Sequence, residues 1–263
     1  MNPLLKLFKR KISKEFYSLF SEAFLIKKIL YNKGLIILMY HSITDTDKDY
    51  PYSISKNNFE LQMKYLKDNF VFFDIVNAID YLNGNNIKYE NPCVFVTFDD
   101  GFKDNISVAY PILKKYEIPF TIFLSTNFID SSNSTFLNWK EIKEYSNDPL
   151  ITFGAHSVSH VNFTALGSDD IKKEIINSKR LIENKINKPV DYFAYPFGGY
   201  NEKIKLIVES NFKGAFLDRQ SHAKFDLFTL PRISIDKNNE CLKDFLITLM
   251  LSDYSKKLYC THN

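Results

Sequence analysis

Apolar runs of strand length alternate with stretches of helical period along most of this 263-residue chain. Residues 34–40 are continuously apolar, as a strand buried on both faces must be, and the run stops abruptly at His41-Ser42 and a polar loop reaching Tyr52. Residues 57–68 then place Phe59, Met63 and Leu66 on one side of a helix. Further strands are predicted at 71–75, 93–98, 121–124, 151–153, 191–195, 214–217 and 230–235. Helices are predicted over 105–116, 139–146, 169–186, 201–210 and 238–251. Asp104 or Asn105 is the expected cap of the first of these helices and Ser168 of the third, while Pro111 is expected to bend the first. Asn83-Gly84-Asn85-Asn86 reads as a loop. Repeated strand–helix alternation without a long linker requires a parallel sheet wound by right-handed crossovers, an α/β fold in which the C-terminal ends of the strands line the site. His41, Asp99-Asp100, His156, Tyr195-Pro196-Phe197 and Arg232 all fall at or near such ends.

Composition adds bounds. Hydrophobic residues make up 45% and aromatics 16%, enough for a large core, and the 24 Phe and 16 Tyr beside 8 Gly exclude a fibrous or disordered chain. A net charge of +3 gives no ground for nucleic-acid binding, but the charge is unevenly placed. Residues 1–33 carry eight Lys and Arg against Glu15 and Glu22, 8 − 2 = +6, which leaves −3 for the remainder. Their apolar residues recur at helical spacing. This basic arm reads either as an interfacial helix drawn to anionic lipid at the inner membrane face or as a surface helix over the main fold. No run approaches the ~20 apolar residues of a membrane span, and Lys and Arg interrupt the place of a signal-peptide core. Cys93, Cys241 and Cys260 are too scattered for a disulfide framework or a cysteine metal site, so a cytoplasmic setting is expected.

The densest chemical signal is Thr97-Phe98-Asp99-Asp100-Gly101. Adjacent carboxylates at the mouth of a buried strand repel each other and lose hydration, which something cationic must offset. His156-Ser157-Val158-Ser159-His160 follows another short strand. One aspartate with the two histidines is a plausible three-ligand set for Zn²⁺ that leaves a coordination position open.

These segments resemble the polysaccharide deacetylases of the NodB-homology type, carbohydrate esterase family 4. Thr97–Gly101 is similar to the first signature of that family, His156 to His160 to the second, and Phe193-Ala194-Tyr195-Pro196-Phe197-Gly198 to the third. Trp139 matches an upstream tryptophan stretch, and Met39-Tyr40-His41-Ser42 resembles the opening of many bacterial members. The resemblance spans about residues 35–236. It implies a distorted (β/α) barrel of about seven parallel strands over 34–263 behind the arm at 1–33, and removal of N- or O-acetyl groups from a sugar in bacterial surface-polysaccharide metabolism. By the same resemblance Asp99 is the general base, and Asp100, His156 and His160 hold Zn²⁺ or another divalent ion such as Co²⁺, Ni²⁺ or Mn²⁺. Backbone N–H groups around Tyr195, Pro196 and Phe197 would form part of an oxyanion hole. Tyr195, Phe197 and Trp139 are candidates to stack on the sugar.

Two departures stand out. The stretch Asp191-Tyr192-Phe193-Ala194 lacks the arginine that often opens the third motif, and Arg232 is the candidate to enter from the next strand and orient Asp99; the alternative is an ordinary surface ion pair. Residues 225–251 contain no histidine acid, and His222 lies in a polar loop. His41 is the candidate substitute, with a loop hydrogen bond as the plainer alternative. A non-catalytic carbohydrate-binding scaffold, or a metal-free barrel enzyme using the carboxylate pair as acid and base, are the competing expectations.

Overall fold

A computed structural model describes residues 29–30, 34–44, 50–84, 89–131, 133–218 and 226–252. Nearly all of the basic arm, His222 and Cys260 lie outside the described residues.

The fully apolar runs become the central strands. β1 (Leu35–Tyr40) and β5 (Cys93–Phe98) pair in parallel along their whole length, and every residue of both is buried. Before β5 come β2 (Ser42–Thr44), β3 (Ser53–Ser55), α1 (Lys56–Asn69), β4 (Val71–Phe73) and α2 (Ile75–Leu82). After it come α3 (Tyr110–Lys115), β6 (Phe120–Leu124), α4 (Thr126–Asp130), α5 (Trp139–Tyr145), β7 (Ile151–Ala155), α6 (Ser168–Ile186), β8 (Tyr192–Ala194), α7 (Glu202–Glu209), β9 (Gly214–Phe216), β10 (Ile233–Ser234) and α8 (Leu242–Leu251).

The main sheet holds eight strands, all paired in parallel, in the order β10-β1-β5-β6-β7-β8-β9, with β4 beside the first half of β5. Its two ends approach each other through one segment. Leu230 bridges to Phe216 in β9, and three residues later Ile233 pairs with Leu38 in β1. The sheet therefore curls into the distorted barrel expected. β2 and β3 form a separate parallel pair at the C-terminal rim. No described helix is long and apolar enough to cross a membrane.

Several boundaries differ from expectation. The stretch read as one helix over 105–116 opens with a π-helical turn, Asn105–Ala109, and becomes α-helical only at Tyr110. Pro111 sits in the first α-turn, directly after the π-helical turn. Asp104 makes no capping bond, because its carboxylate is engaged with Ser42 and Ile43 instead. Gly167 occupies the N-cap position expected for Ser168. The strand expected over 230–235 shrinks to two residues, and α8 starts four residues later than predicted. Asp74 caps the unpredicted α2 by accepting from Asn77 N–H.

Candidate active site

Three strand ends build the site. Asp99 and Asp100 follow β5, His156 follows β7, His160 lies one turn further on, and Arg232 directly precedes β10. The backbone is left-handed at Asp100 (φ 73°), Ser157 (φ 66°), His160 (φ 53°) and Phe197 (φ 56°). Non-glycine residues adopt that region at an energetic cost, and its concentration here shows that the surrounding packing over-determines these side-chain directions. Gly101 continues the turn at φ 80°, and a Cβ there would lie 2.8 Å from Leu124 Cδ2, so a larger residue would be strained and would have to displace the side chain beneath the carboxylates.

The two aspartates have opposite environments. Asp99 is 1% exposed and is gripped bidentately by Arg232: Nη1 donates to Oδ1 at 2.7 Å and Nη2 to Oδ2 at 2.6 Å. Burial is the largest single influence and would raise the Asp99 carboxyl, but the Arg232 charge, the nearby His156 and the Arg232 hydrogen bonds together outweigh it and hold the group well below the usual carboxylate range. Arg232 is itself fully buried, with Nε donating to the Leu217 carbonyl and Nη1 reaching Thr97. The surface-ion-pair alternative for Arg232 is therefore excluded. Asp100 is almost as deeply buried, but its Oδ1 has no hydrogen-bond partner. Burial and then the Asp99 charge push its carboxyl up to about 8.

The imidazoles point at that orphaned oxygen. His156 Nδ1 lies 2.8 Å from the Ala194 carbonyl, which can only accept, so the hydrogen sits on Nδ1 and Nε2 presents a lone pair. Nε2 of His156 is 3.7 Å from Asp100 Oδ1, and Nε2 of His160 is 3.1 Å from it. Burial lowers His156 to about 3 and lowers His160 as well, so both rings are neutral. A carboxyl oxygen and imidazole lone pairs converging in a dry site need a shared positive centre, either the proton that the raised Asp100 carboxyl retains or a cation bound between them. Donor atoms of Asp100, His156 and His160 all lie within 4.8 Å of one another, and one oxygen with two imidazole nitrogens is a donor set for a divalent metal. Among the described residues this is the one such cluster.

A cavity of about 350 Å³ opens over the cluster, lined by His41, Tyr50, Tyr52, Phe197, Asp218 and Asp236 among others. His41 does face the site: its Nδ1 is buried without a hydrogen-bond partner, and burial lowers the ring to about 4. Phe197 is 53% exposed, with its ring 4.7 Å from that of His160. Tyr195 and Trp139 do not reach the cavity. The Tyr195 ring is completely buried against Phe193 and Tyr200, and Trp139 packs at the start of α5 under Lys185. Of the three backbone positions expected to stabilise an oxyanion, Tyr195 N–H is spent on the Phe216 carbonyl and Pro196 has none, so Phe197 N–H is the remaining candidate. Tyr50 and Tyr52 were not expected here; their rings lie 6.5 and 4.9 Å from that of His41. Paired tyrosines just before a short strand were the available signal, hidden in what reads as a polar loop.

The polysaccharide deacetylase profile matches residues 86–212, which hold Asp99, Asp100, both histidines and Phe197. Over those residues the chain matches the polysaccharide deacetylase family. YxkH of Bacillus subtilis, whose name assigns it to the polysaccharide deacetylases, is 32% identical over 175 residues, covering 66% of this chain and 61% of its own length. A poly-β-1,6-N-acetyl-D-glucosamine N-deacetylase of Staphylococcus aureus is 30% identical over 177 residues, covering 63% of this chain and 61% of its own. This chain thus spans about three fifths of the length of the curated relatives it matches. Among solved structures, the Streptococcus pyogenes deacetylase PplD in complex with acetate superimposes with a TM-score of 0.73 at 28% identity, covering 82% of this chain and 97% of that one.

Proposed function

We propose that this protein is a metal-dependent carbohydrate N-deacetylase acting on a polymer of N-acetylated hexosamine. The observation that carries this reading is the convergence of Asp100 Oδ1 and two neutral imidazoles beside an aspartate that Arg232 keeps ionised. Asp100, His156 and His160 would hold the cation, with Zn²⁺ the first choice for this donor set. Such an ion supplies a Lewis acid that polarises an acyl carbonyl and acidifies water.

The remaining roles belong to the chain. Asp99 accepts the proton of the attacking water, and Arg232 fixes both its oxygens so that little motion is needed at that moment. Phe197 N–H donates to the oxygen that becomes negative as the carbonyl turns tetrahedral. The amide C–N bond then breaks, acetate forms, and the departing nitrogen takes a proton. His41 is the candidate donor; its ring is neutral at rest, so it must take up a proton before passing it on. Phe197 and Tyr52, both exposed at the cavity mouth, offer flat apolar faces to the C–H face of a pyranose. That Arg232 supplies the arginine missing from the third motif removes one of the two grounds for a non-catalytic scaffold.

Acetate release from a panel of N-acetylglucosamine oligomers, measured with Zn²⁺ and after chelation, tests this reading. Activity that chelation abolishes and Zn²⁺ restores is expected. Protein that retains stoichiometric Zn²⁺ yet releases no acetate from any member would sink it. The basic arm at 1–33 is proposed to bring the enzyme to an anionic membrane face. Deleting 1–28 should abolish binding to phosphatidylglycerol vesicles without lowering activity on soluble oligomers.

A further inference from the structure

Asp104 and Asn105 read as helix caps in the sequence, but the fold uses them differently. Both are buried, and both reach away from their own helix to the segment that carries His41. Ser42 Oγ donates to Asp104 Oδ2 at 2.5 Å, and Ile43 N–H donates to Asp104 Oδ1 at 3.2 Å. Asn105 Nδ2 donates to the His41 carbonyl at 2.6 Å. Three consecutive residues, His41 to Ile43, are thus held from one side by two adjacent side chains sixty-odd positions away.

The backbone is shaped for this. Asn105–Ala109 is a π-helical turn, closed by Tyr110 N–H bonding the Asn105 carbonyl. A π-turn widens the helix by one residue and rotates the side chains at its start, and such turns recur at functional sites. Here it turns Asp104 and Asn105 together toward β2 while Asp99 and Asp100, a few residues earlier on the same stretch, face the cavity. The metal-side carboxylates and the anchor of the opposite wall therefore sit on one continuous segment.

We infer that Asp104 and Asn105 are positioning residues for the reaction: they fix the His41 imidazole over the Asp99–Asp100 pair and hold the β2–β3 wall with Tyr50 and Tyr52 in place. Neither touches the cavity; both act through His41 and the backbone beside it. This deepens the proposed function and rests on it for the kinetic part only.

The test has two arms on the full chain. In the first, histidine ring signals are recorded by NMR on metal-free protein labelled at histidine, with His41→Gln assigning the His41 resonance. Asp104→Ala and Asn105→Ala should each shift and broaden that signal, Asp104→Asn should largely restore it, and His156 should be unmoved. In the second, acetate release is measured on Zn²⁺-loaded protein. Asp104→Ala should lower kcat at least tenfold with Zn²⁺ stoichiometry intact, and should add less than twofold when combined with His41→Gln. An unmoved His41 signal, or losses that multiply in the double variant, would overturn the inference. If the wild type releases no acetate, the functional reading fails while the NMR arm still decides the positioning. If Asp104→Ala does not fold, Asn105→Ala, which deletes the bond to the His41 carbonyl and a longer one to Asp104 Oδ1, decides alone.

Discussion

The two rims of the barrel each hold a cavity and an Arg or Lys paired with an aspartate, yet they differ in kind. At the N-terminal rim a cavity of about 540 Å³ is lined by Asp80, Thr152, Asp191, Tyr192 and Lys213 among others. Its ion pair, Lys213 Nζ to Asp191 Oδ2 at 2.8 Å, has a lysine side chain that is 68% exposed. At the C-terminal rim the cavity is smaller, about 350 Å³, but its Arg232–Asp99 pair is at most 2% exposed and lies beside a second buried carboxylate with an orphaned oxygen. Size does not locate the chemistry. Titratable groups held out of water with an oxygen left unpartnered do, because the desolvation they require persists only where something else is meant to complete it.

The sharpest way to break this comparison is to delete the cation at each rim in the same manner. Arg232→Met leaves Asp99 buried and uncompensated, and breaking a buried pair on one side typically costs about 3–5 kcal/mol. We expect a loss of that size in urea denaturation, together with near-complete loss of acetate release. A variant that unfolds at the wild-type midpoint would show that the guanidinium is not what stabilises Asp99.

How much of this was legible beforehand depends on whether a feature is local in sequence. The strands at 35–40 and 93–98, the Asp99-Asp100 pair and the His156/His160 spacing are visible because each is carried by contiguous residues with a clear pattern. Arg232 was legible only as a candidate, since its partner is 133 positions away and a lone arginine after Pro231 has no periodicity to mark it. Asp104 and Asn105 were misread because Asp and Asn before a helix usually cap it, and nothing local announces a π-turn. Tyr195 and Trp139 were over-read. In a chain this rich in aromatics, a ring beside a motif residue is as easily core, and the alternation of Phe193, Tyr195 and Phe197 does not by itself say which one reaches solvent. The left-handed backbone at Asp100 and Phe197 had one faint signal, the glycine that follows each.

An acid titration sharpens the same contrast at smaller amplitude. His41 has an ordinary imidazole pKa of about 6.5 when unfolded, and burial lowers it to about 4 in the fold. Between those values the unfolded chain binds the extra proton, so stability rises with pH through the window and is lost on acidification below about 6.5. His41→Gln removes that term. We expect the variant to lose roughly 1–2 kcal/mol less than wild type between pH 7 and pH 4.5, allowing for the part of the ring that solvent reaches. Parallel Tm-against-pH curves for the two proteins would contradict the burial of this ring.

The smallest effect belongs to the other rim, and it is the control that gives the first its meaning. Lys213→Met removes the same charge sign from an aspartate that water can rehydrate, since Asp191 keeps a quarter of its side chain exposed. An exposed pair of this kind contributes about 0–1 kcal/mol, diminished further by salt. The variant should therefore denature within about 0.5 kcal/mol of wild type and release acetate at an unchanged rate. If Lys213→Met instead destabilised the protein as much as Arg232→Met, burial would not be what separates the two rims. The larger cavity would then have to be treated as a second place where the fold holds charge against its solvation.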